Sequence, residues 1–294
     1  MKIAITGATG FVGGHLVKAL SEKGHSLRLL SHRRHLAENA IKSVEVVRGD
    51  VHDPESLTSI FESIDAVYHL VGIIAETKTL TFDRTVAEGT KNVVSACVDQ
   101  GIRRIIYLSA AGTSPNAASK YHKTKWIAEE AIRNSGIQYT IFRPSVIFGL
   151  DDGFVSMLVR IISGFPLVPI IGDGRYQMQP VYIDDLVRIM SQAPENEKSL
   201  NKTIEVGGPE RFQYREIVSI LKRVLNKKRG NIYLPLWFMK MNAFLLEQVM
   251  KPAPITRDQI AMLIAGNVCD NGKLYEVFDV ELTGFENGLR KYKR

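Results

Sequence analysis

Residues Lys2–Leu16 read KIAITGATGFVGGHL. Lys2 to Thr6 has the composition of a buried strand, Gly7, Gly10 and Gly13 follow at G-x-x-G-x-x-G spacing, and the chain turns helical at Phe11. This order predicts a dinucleotide cradle. Gly7 allows the tight turn out of the strand, Gly10 lets the backbone approach a pyrophosphate, and Gly13 lets the new helix pack closely, its first N–H groups aimed at the phosphates. Thr9, Phe11 and Val12 share the turn and complete the expected contact set. A plain strand-to-helix connector can use similar glycines; the strand before and the helix after favour the cradle.

Further along, Ser26 to Leu30 reads as a second strand. A carboxylate at its end would hydrogen-bond an NAD ribose, but the position is Ser31, followed by His32, Arg33 and Arg34. That is the charge logic of NADP(H), with guanidinium groups for a 2′-phosphate; NAD(H) stays admissible, and the same run could also be a solvated basic loop. Val44 to Val47 forms a third strand, after which Asp50 and Val51 could bracket an adenine edge. Asp53-Pro54-Glu55 starts a helix through a cap and a first-turn proline. Asp65 to Leu70 is a fourth strand, with Val71 and Gly72 where a cofactor crosses the sheet edge, Phe82 to Gln100 a helix, and Arg103 to Leu108 a fifth strand. Strands alternating with helices predict an α/β doubly wound parallel sheet.

The chemistry is expected after strand five. Ser109 ends that strand, and Ser119 to Lys125 opens a helix running to about Asn134. Tyr121 and Lys125 are four apart and share a helical face, so an ammonium could stabilise a phenolate and draw its pKa towards the range of a general acid or base. The lysine could also hold a nicotinamide ribose. An ordinary surface pair has the same spacing.

Together the TGxxGxxG turn and the YxxxK pair resemble the extended or atypical short-chain dehydrogenases/reductases. Arg143-Pro144 with Gly149 (FRPSVIFG), QPVYIDDL around Asp184 and Asp185, and VGGPE at Val206–Glu210 extend the likeness over essentially the whole chain. LPLWF, PAPITRDQIAMLI at Pro252–Ile264 and Asn267-Val268 resemble the branch of the NADPH-binding accessory subunit of respiratory complex I. The resemblance implies a Rossmann-type sheet with a smaller, mostly helical C-terminal substrate domain. It also implies catalytic Tyr121, Lys125 and Ser109, and a cofactor set that includes Arg143 and Pro144.

Departures from the family pattern accompany the matches. The substrate-orienting Ser or Thr falls at Ala110, leaving Ser109, Thr113 or Ser114 as substitutes, and the proton-relay asparagine falls at Val86. The arginine that holds a sugar-nucleotide diphosphate falls at Met178, which favours a less charged or apolar ligand. Residues 1–150 are expected to form the dinucleotide-binding domain, its sheet completed by about 180–206. Residues 151–179 and 207–294 form the smaller substrate or lid domain. In it Gly164 to Gly174 reads as a Pro/Gly-rich crossover, Val181 to Ile183 as a return to the sheet before a helix capped by Asp184, and Leu234 to Met250 as an apolar helix packed over the cleft, or else as a partner or membrane-surface helix.

The chain has 294 residues, 45% hydrophobic and 23% charged, an ordinary globular composition. Cys97 and Cys269 are far apart without metal-type spacing, so neither a metal site nor a disulfide framework is expected. Met1 leads straight into a strand and no transmembrane run is visible, so the expected location is cytoplasmic or peripheral to a membrane. A net charge of +7 favours anionic partners, but the scattered basic residues lack the interleaved aromatics of a nucleic-acid surface. Two functional readings stand. One is an NADP(H)-dependent oxidoreductase or epimerase/dehydratase-type enzyme using the Tyr-Lys pair on a small, weakly polar substrate. The other is a non-catalytic nucleotide-binding structural or assembly protein that contacts a protein complex.

Overall fold

The computed structural model of the protein describes residues 1–31 and 43–291. β1 (Lys2–Thr6) passes through the glycine turn into α1 (Phe11–Glu22), followed by β2 (Ser26–Ser31) and β3 (Val44–Arg48). α2 (Pro54–Phe61) starts as its sequence predicts: the Asp53 side chain accepts from the Glu55 N–H, and Pro54 sits in the first turn, where its missing donor costs nothing. β4 (Ala66–His69) comes next. The helix expected from Phe82 onward is a π-helical turn, Asp83–Glu88, running into α3 (Gly89–Asp99). β5 (Arg104–Leu108), α4 (Lys120–Arg133) and β6 (Gln138–Pro144) follow.

Beyond β6 the chain makes β7 (Ile147–Phe148), α5 (Phe154–Gly164), β8 (Leu167–Ile171), β9 (Gln177–Met178), β10 (Val181–Tyr182) and α6 (Ile183–Met190), then returns as β11 (Lys202–Val206). The main sheet has seven parallel strands in the order β11-β6-β5-β4-β1-β2-β3. The switch point therefore lies between β1 and β4, where a crevice opens at the carboxyl ends of the strands. Alternation along β1 supplies both faces. Ile3 and Ile5 join Leu16, Leu20 and Tyr68 in one core, while Ala4 joins Leu57, Phe61 and Val67 in the other.

The smaller C-terminal part contains β12 (Phe212–Gln213), α7 (Tyr214–Val224), β13 (Gly230–Leu234), α8 (Leu236–Val249), α9 (Arg257–Ala265), α10 (Gly272–Val277) and α11 (Phe285–Lys291). Three local expectations are corrected. Val181 and Tyr182 do not rejoin the main sheet but pair with Ile147 and Phe148, because β11 already occupies the edge beside β6. Asp184 does not cap α6; it lies in the first turn with Asp185, where its charge still suits the helix's positive end. The Gly164–Gly174 stretch holds a regular strand, since β8 pairs in parallel with β13.

α8 also departs from its expected packing. Of its residues only Ala243 is buried, whereas Trp237, Phe238, Met241, Phe244, Leu245 and Val249 are exposed. It docks instead on α9, where Arg257 pairs with Glu247 at 2.8 Å and lies 5.0 Å from the centre of the Phe244 ring.

Candidate active site

The glycine turn is tight in the way a nucleotide cradle requires. Gly7 has φ +80°, and a Cβ there would lie 2.9 Å from both the Leu70 carbonyl carbon and the Val71 nitrogen, so β1 and β4 close to backbone contact at the switch point. A Cβ on Gly13 would press into the Gly7 carbonyl oxygen and come within 2.8 Å of Ala8 backbone carbon, which explains the close start of α1. Gly10 is exposed and would meet only the Gly7 oxygen, at 3.3 Å, so any stricter demand for glycine there comes from the ligand side. Among the described residues no side chain caps α1. Its first amides, at Phe11 and Val12, are thus free for an anion, while the Val12 side chain turns into the core. With Thr9 exposed at the tip, these residues fit a dinucleotide pyrophosphate.

Tyr121 and Lys125 lie on α4, both buried. The Lys125 Nζ donates to the Leu108 carbonyl at 2.7 Å and lies 4.7 Å from the Tyr107 ring centre. A Cβ on Gly72 would come 3.3 Å from the same Nζ, so the glycine keeps this corner of the edge open. Gly7, Val71, Gly72 and Lys125 are therefore brought together at one sheet edge. Burial pulls the Lys125 ammonium down to about 7, with Glu129 opposing. Burial also pushes the Tyr121 phenol up to about 12. The expected lowering of the phenol pKa is thus corrected: desolvation prevails, and the ammonium is engaged by a backbone oxygen.

The shift on Lys125 makes a testable statement about stability. Between pH 7 and the unfolded value near 10.4 the unfolded chain binds more protons than the folded one, so this group makes stability rise with pH. Relative to Lys125→Met, the wild type is expected to gain on the order of 2 kcal/mol between pH 7 and 9.5, read by urea unfolding. Parallel pH profiles for the two proteins would show that the ammonium is solvated.

Two supports of this site are not visible as motifs. Asp258 of α9 accepts from the Lys120 and Tyr121 N–H groups at 2.6 and 3.2 Å, and Ser119 accepts from His122 N–H at 3.1 Å. The first turn of the tyrosine helix is thus capped by a residue far along the chain. Beneath the edge, the Thr90 hydroxyl donates to the Val86 carbonyl, so His69 donates from Nε2 to Thr90 and accepts at Nδ1 from Thr6, at 2.9 and 2.6 Å. Burial, then the Lys125 charge, draws His69 down to about 3, and its neutral ring stacks on Tyr107.

Several sequence assignments change. Ser109 does not offer its hydroxyl to a substrate: it donates to Glu129 at 2.5 Å and is buried. Arg143 does not reach for a cofactor, because its Nε and a terminal nitrogen hold both oxygens of Glu129 at 2.8 and 2.6 Å, with Arg133 on the same carboxylate. Val51 is buried in the core, so only Asp50 remains partly exposed there, and its carboxylate accepts from the His52 N–H. Pro144 serves through its carbonyl, which accepts from the Ala111 N–H at 2.8 Å and anchors the loop after β5. Met178 is buried in the core, and Val86 is fully buried in the π-helical turn. His32, Arg33 and Arg34 lie outside the described residues.

A family model described as the NAD dependent epimerase/dehydratase family matches residues 3–207. The chain is 29% identical over 296 residues to NADH dehydrogenase (ubiquinone) 1 alpha subcomplex subunit 9, mitochondrial, of Arabidopsis thaliana, covering 94% of this chain and 73% of that protein. It is 32% identical over 185 residues to a ceramide reductase of Caulobacter vibrioides, covering 62% of this chain and 57% of that protein. The structure of UDP-glucose 4-epimerase from Thermotoga maritima with UDP-glucose aligns over 100% of both chains with a TM-score of 0.76 at 22% identity, a likeness of fold. With the glycine cradle at the switch point and the family match running through the Tyr-Lys helix to β11, the chain belongs to the NAD dependent epimerase/dehydratase family of extended short-chain dehydrogenases/reductases, whose members bind NAD(P).

Proposed function

We propose that the protein is an NADP(H)-dependent oxidoreductase of this family acting on a weakly polar carbonyl or alcohol. The observation that carries the reading is the buried Lys125 ammonium, held beside Gly72 at the switch-point edge on the same helix as Tyr121. A family of nicotinamide-binding proteins and similarity to a protein named ceramide reductase support it. A bound nicotinamide supplies or accepts the hydride at the substrate carbon. In the reductive direction Tyr121 would give its phenolic proton to the substrate oxygen as the hydride adds to the carbonyl carbon and the π pair moves onto that oxygen; in the oxidative direction its phenolate takes the proton back. Lys125, held at the Leu108 carbonyl beside Gly72, would hold the nicotinamide ribose rather than lower the phenol's pKa. Tyr121→Phe is expected to lower turnover about 10²–10⁴-fold in a screen of carbonyls and alcohols followed by nicotinamide absorbance. Equal turnover by the two proteins would remove Tyr121 from the chemistry.

Cofactor choice follows from Ser31 and the basic residues after it. NADPH is expected to bind more tightly than NADH, and Arg33→Ala with Arg34→Ala to erase most of a gap on the order of 1–3 kcal/mol. Equal affinities for the two cofactors in wild-type calorimetry would refute it.

A second reading, a nucleotide-binding subunit without turnover, is favoured by Ala110, Val86 and the engagement of Ser109 by Glu129, together with the similarity to the Arabidopsis subunit. Tight binding of NADPH without turnover on any substrate of the panel would select it.

A further inference from the structure

Residues 222–257 carry eight Lys and Arg and one acid, Glu247, a net +7 that equals the formal charge of the entire chain. The basic surplus is therefore concentrated in the segment that contains β13 and α8. Lys222 is tied to the Arg229 carbonyl, and Arg223 and Arg257 are paired with Glu286 and Glu247. Lys227, Lys228, Lys240 and Lys251 are exposed, with no carboxylate partner among the described residues.

Among the described residues the same segment holds the largest run of exposed apolar side chains. At 100° per residue, Phe244, Trp237, Met241, Leu245, Phe238 and Val249 fall in a continuous arc of about 140°, interrupted only by Gln248. Trp237 is 67% and Val249 84% exposed. Buried Ala243 lies on the opposite side, and Lys240 and Glu247 mark one border between the two faces. α8 thus has two apolar faces, of which the protein covers one. Beside it, exposed Phe165, Leu167, Ile232 and Tyr233 extend the patch along β8 and β13. Unpaired lysines stand before the helix, within it and just after it.

We infer that this face docks on an anionic lipid bilayer surface, with α8 lying in the plane of the interface. Its 14 residues span about 21 Å, short of the roughly 30 Å hydrocarbon core, and among the described residues no helix is long and apolar enough to cross a membrane. A wide apolar arc led by tryptophan suits the acyl and headgroup boundary, and the lysines suit lipid phosphates. A continuous apolar arc bordered by several free cations also lacks the matched acids that a self-complementary dimer would need.

Co-sedimentation of the full chain with vesicles tests this. Binding is expected to phosphatidylcholine vesicles containing 30% phosphatidylglycerol at low salt, and to be at least tenfold weaker with pure phosphatidylcholine or in 500 mM NaCl. Leu245→Ser with Val249→Ser, both at exposed positions, should lower it at least tenfold, as should Lys227→Ser with Lys228→Ser. In Trp126→Phe, Trp237 is the sole tryptophan, and its emission should shift to the blue only with the anionic vesicles. Failure to bind them, or binding unchanged in the Leu245/Val249 double variant, overturns the proposal. So does a dimer in sedimentation velocity that this double variant dissolves, which would assign the face to a second copy of the chain.

Discussion

Glu129→Ala is expected to destabilise the fold by about 3–5 kcal/mol, because removing one partner of a buried charge cluster leaves the others uncompensated. Glu129 is fully buried and accepts from Arg143, Arg133 and Ser109. Arg133 keeps Glu130, so the greater share of the loss falls on Arg143 and on the refilled space. Both guanidinium groups also lie by the Trp126 ring, at 5.1 and 5.8 Å from its centre, and that packing loosens when the anchor goes. Guanidinium chloride unfolding measures the effect. A loss below about 1 kcal/mol would mean that water already reaches the cluster and shares its charges.

Gly13→Val is expected to weaken NADPH binding on the order of 100-fold or more and to destabilise the fold, since a Cβ there meets backbone atoms of Gly7 and Ala8 that no rotamer change can move. Gly14 provides the internal comparison. It is the next residue of α1, and a Cβ there meets nothing within 4 Å. Gly14→Ala should leave affinity unchanged and add about 0.5–1 kcal/mol of stability from helix propensity alone. Calorimetric titration of both variants decides the matter; wild-type affinity in a folded Gly13→Val protein would reduce the turn to a connector.

What could be read in the sequence was local. The glycine spacing, the Asp53-Pro54 helix start and the Tyr121/Lys125 spacing each depend on residues within one turn or one strand, and the alternation of strands and helices carried the fold class. Long-range partnerships left no such trace. Glu129 stands beside Glu130 and reads as part of a solvated helix face, yet it is the residue that captures Ser109 and Arg143. The lysine's effect on the tyrosine was inferred from spacing, which cannot weigh burial against attraction. For α8 two arrangements stay open from the sequence, a cover over the cleft or a surface helix for a partner or membrane, because apolar spacing alone does not say which face goes without cover.

The cap that Asp258 places on α4 has a consequence for the order in which the protein is made. The acceptor is separated from Lys120 by 138 positions, so at about 5–20 residues per second it leaves the ribosome roughly 7–28 s after the helix it caps. All seven strands of the main sheet have been synthesised by Val206, well before Asp258. In a nascent chain the strands of the cradle can therefore be present while α4 has its local Ser119 cap but not yet the two contacts from Asp258. The Asp258 contacts to the first turn of α4 are the last part of this region to be laid down.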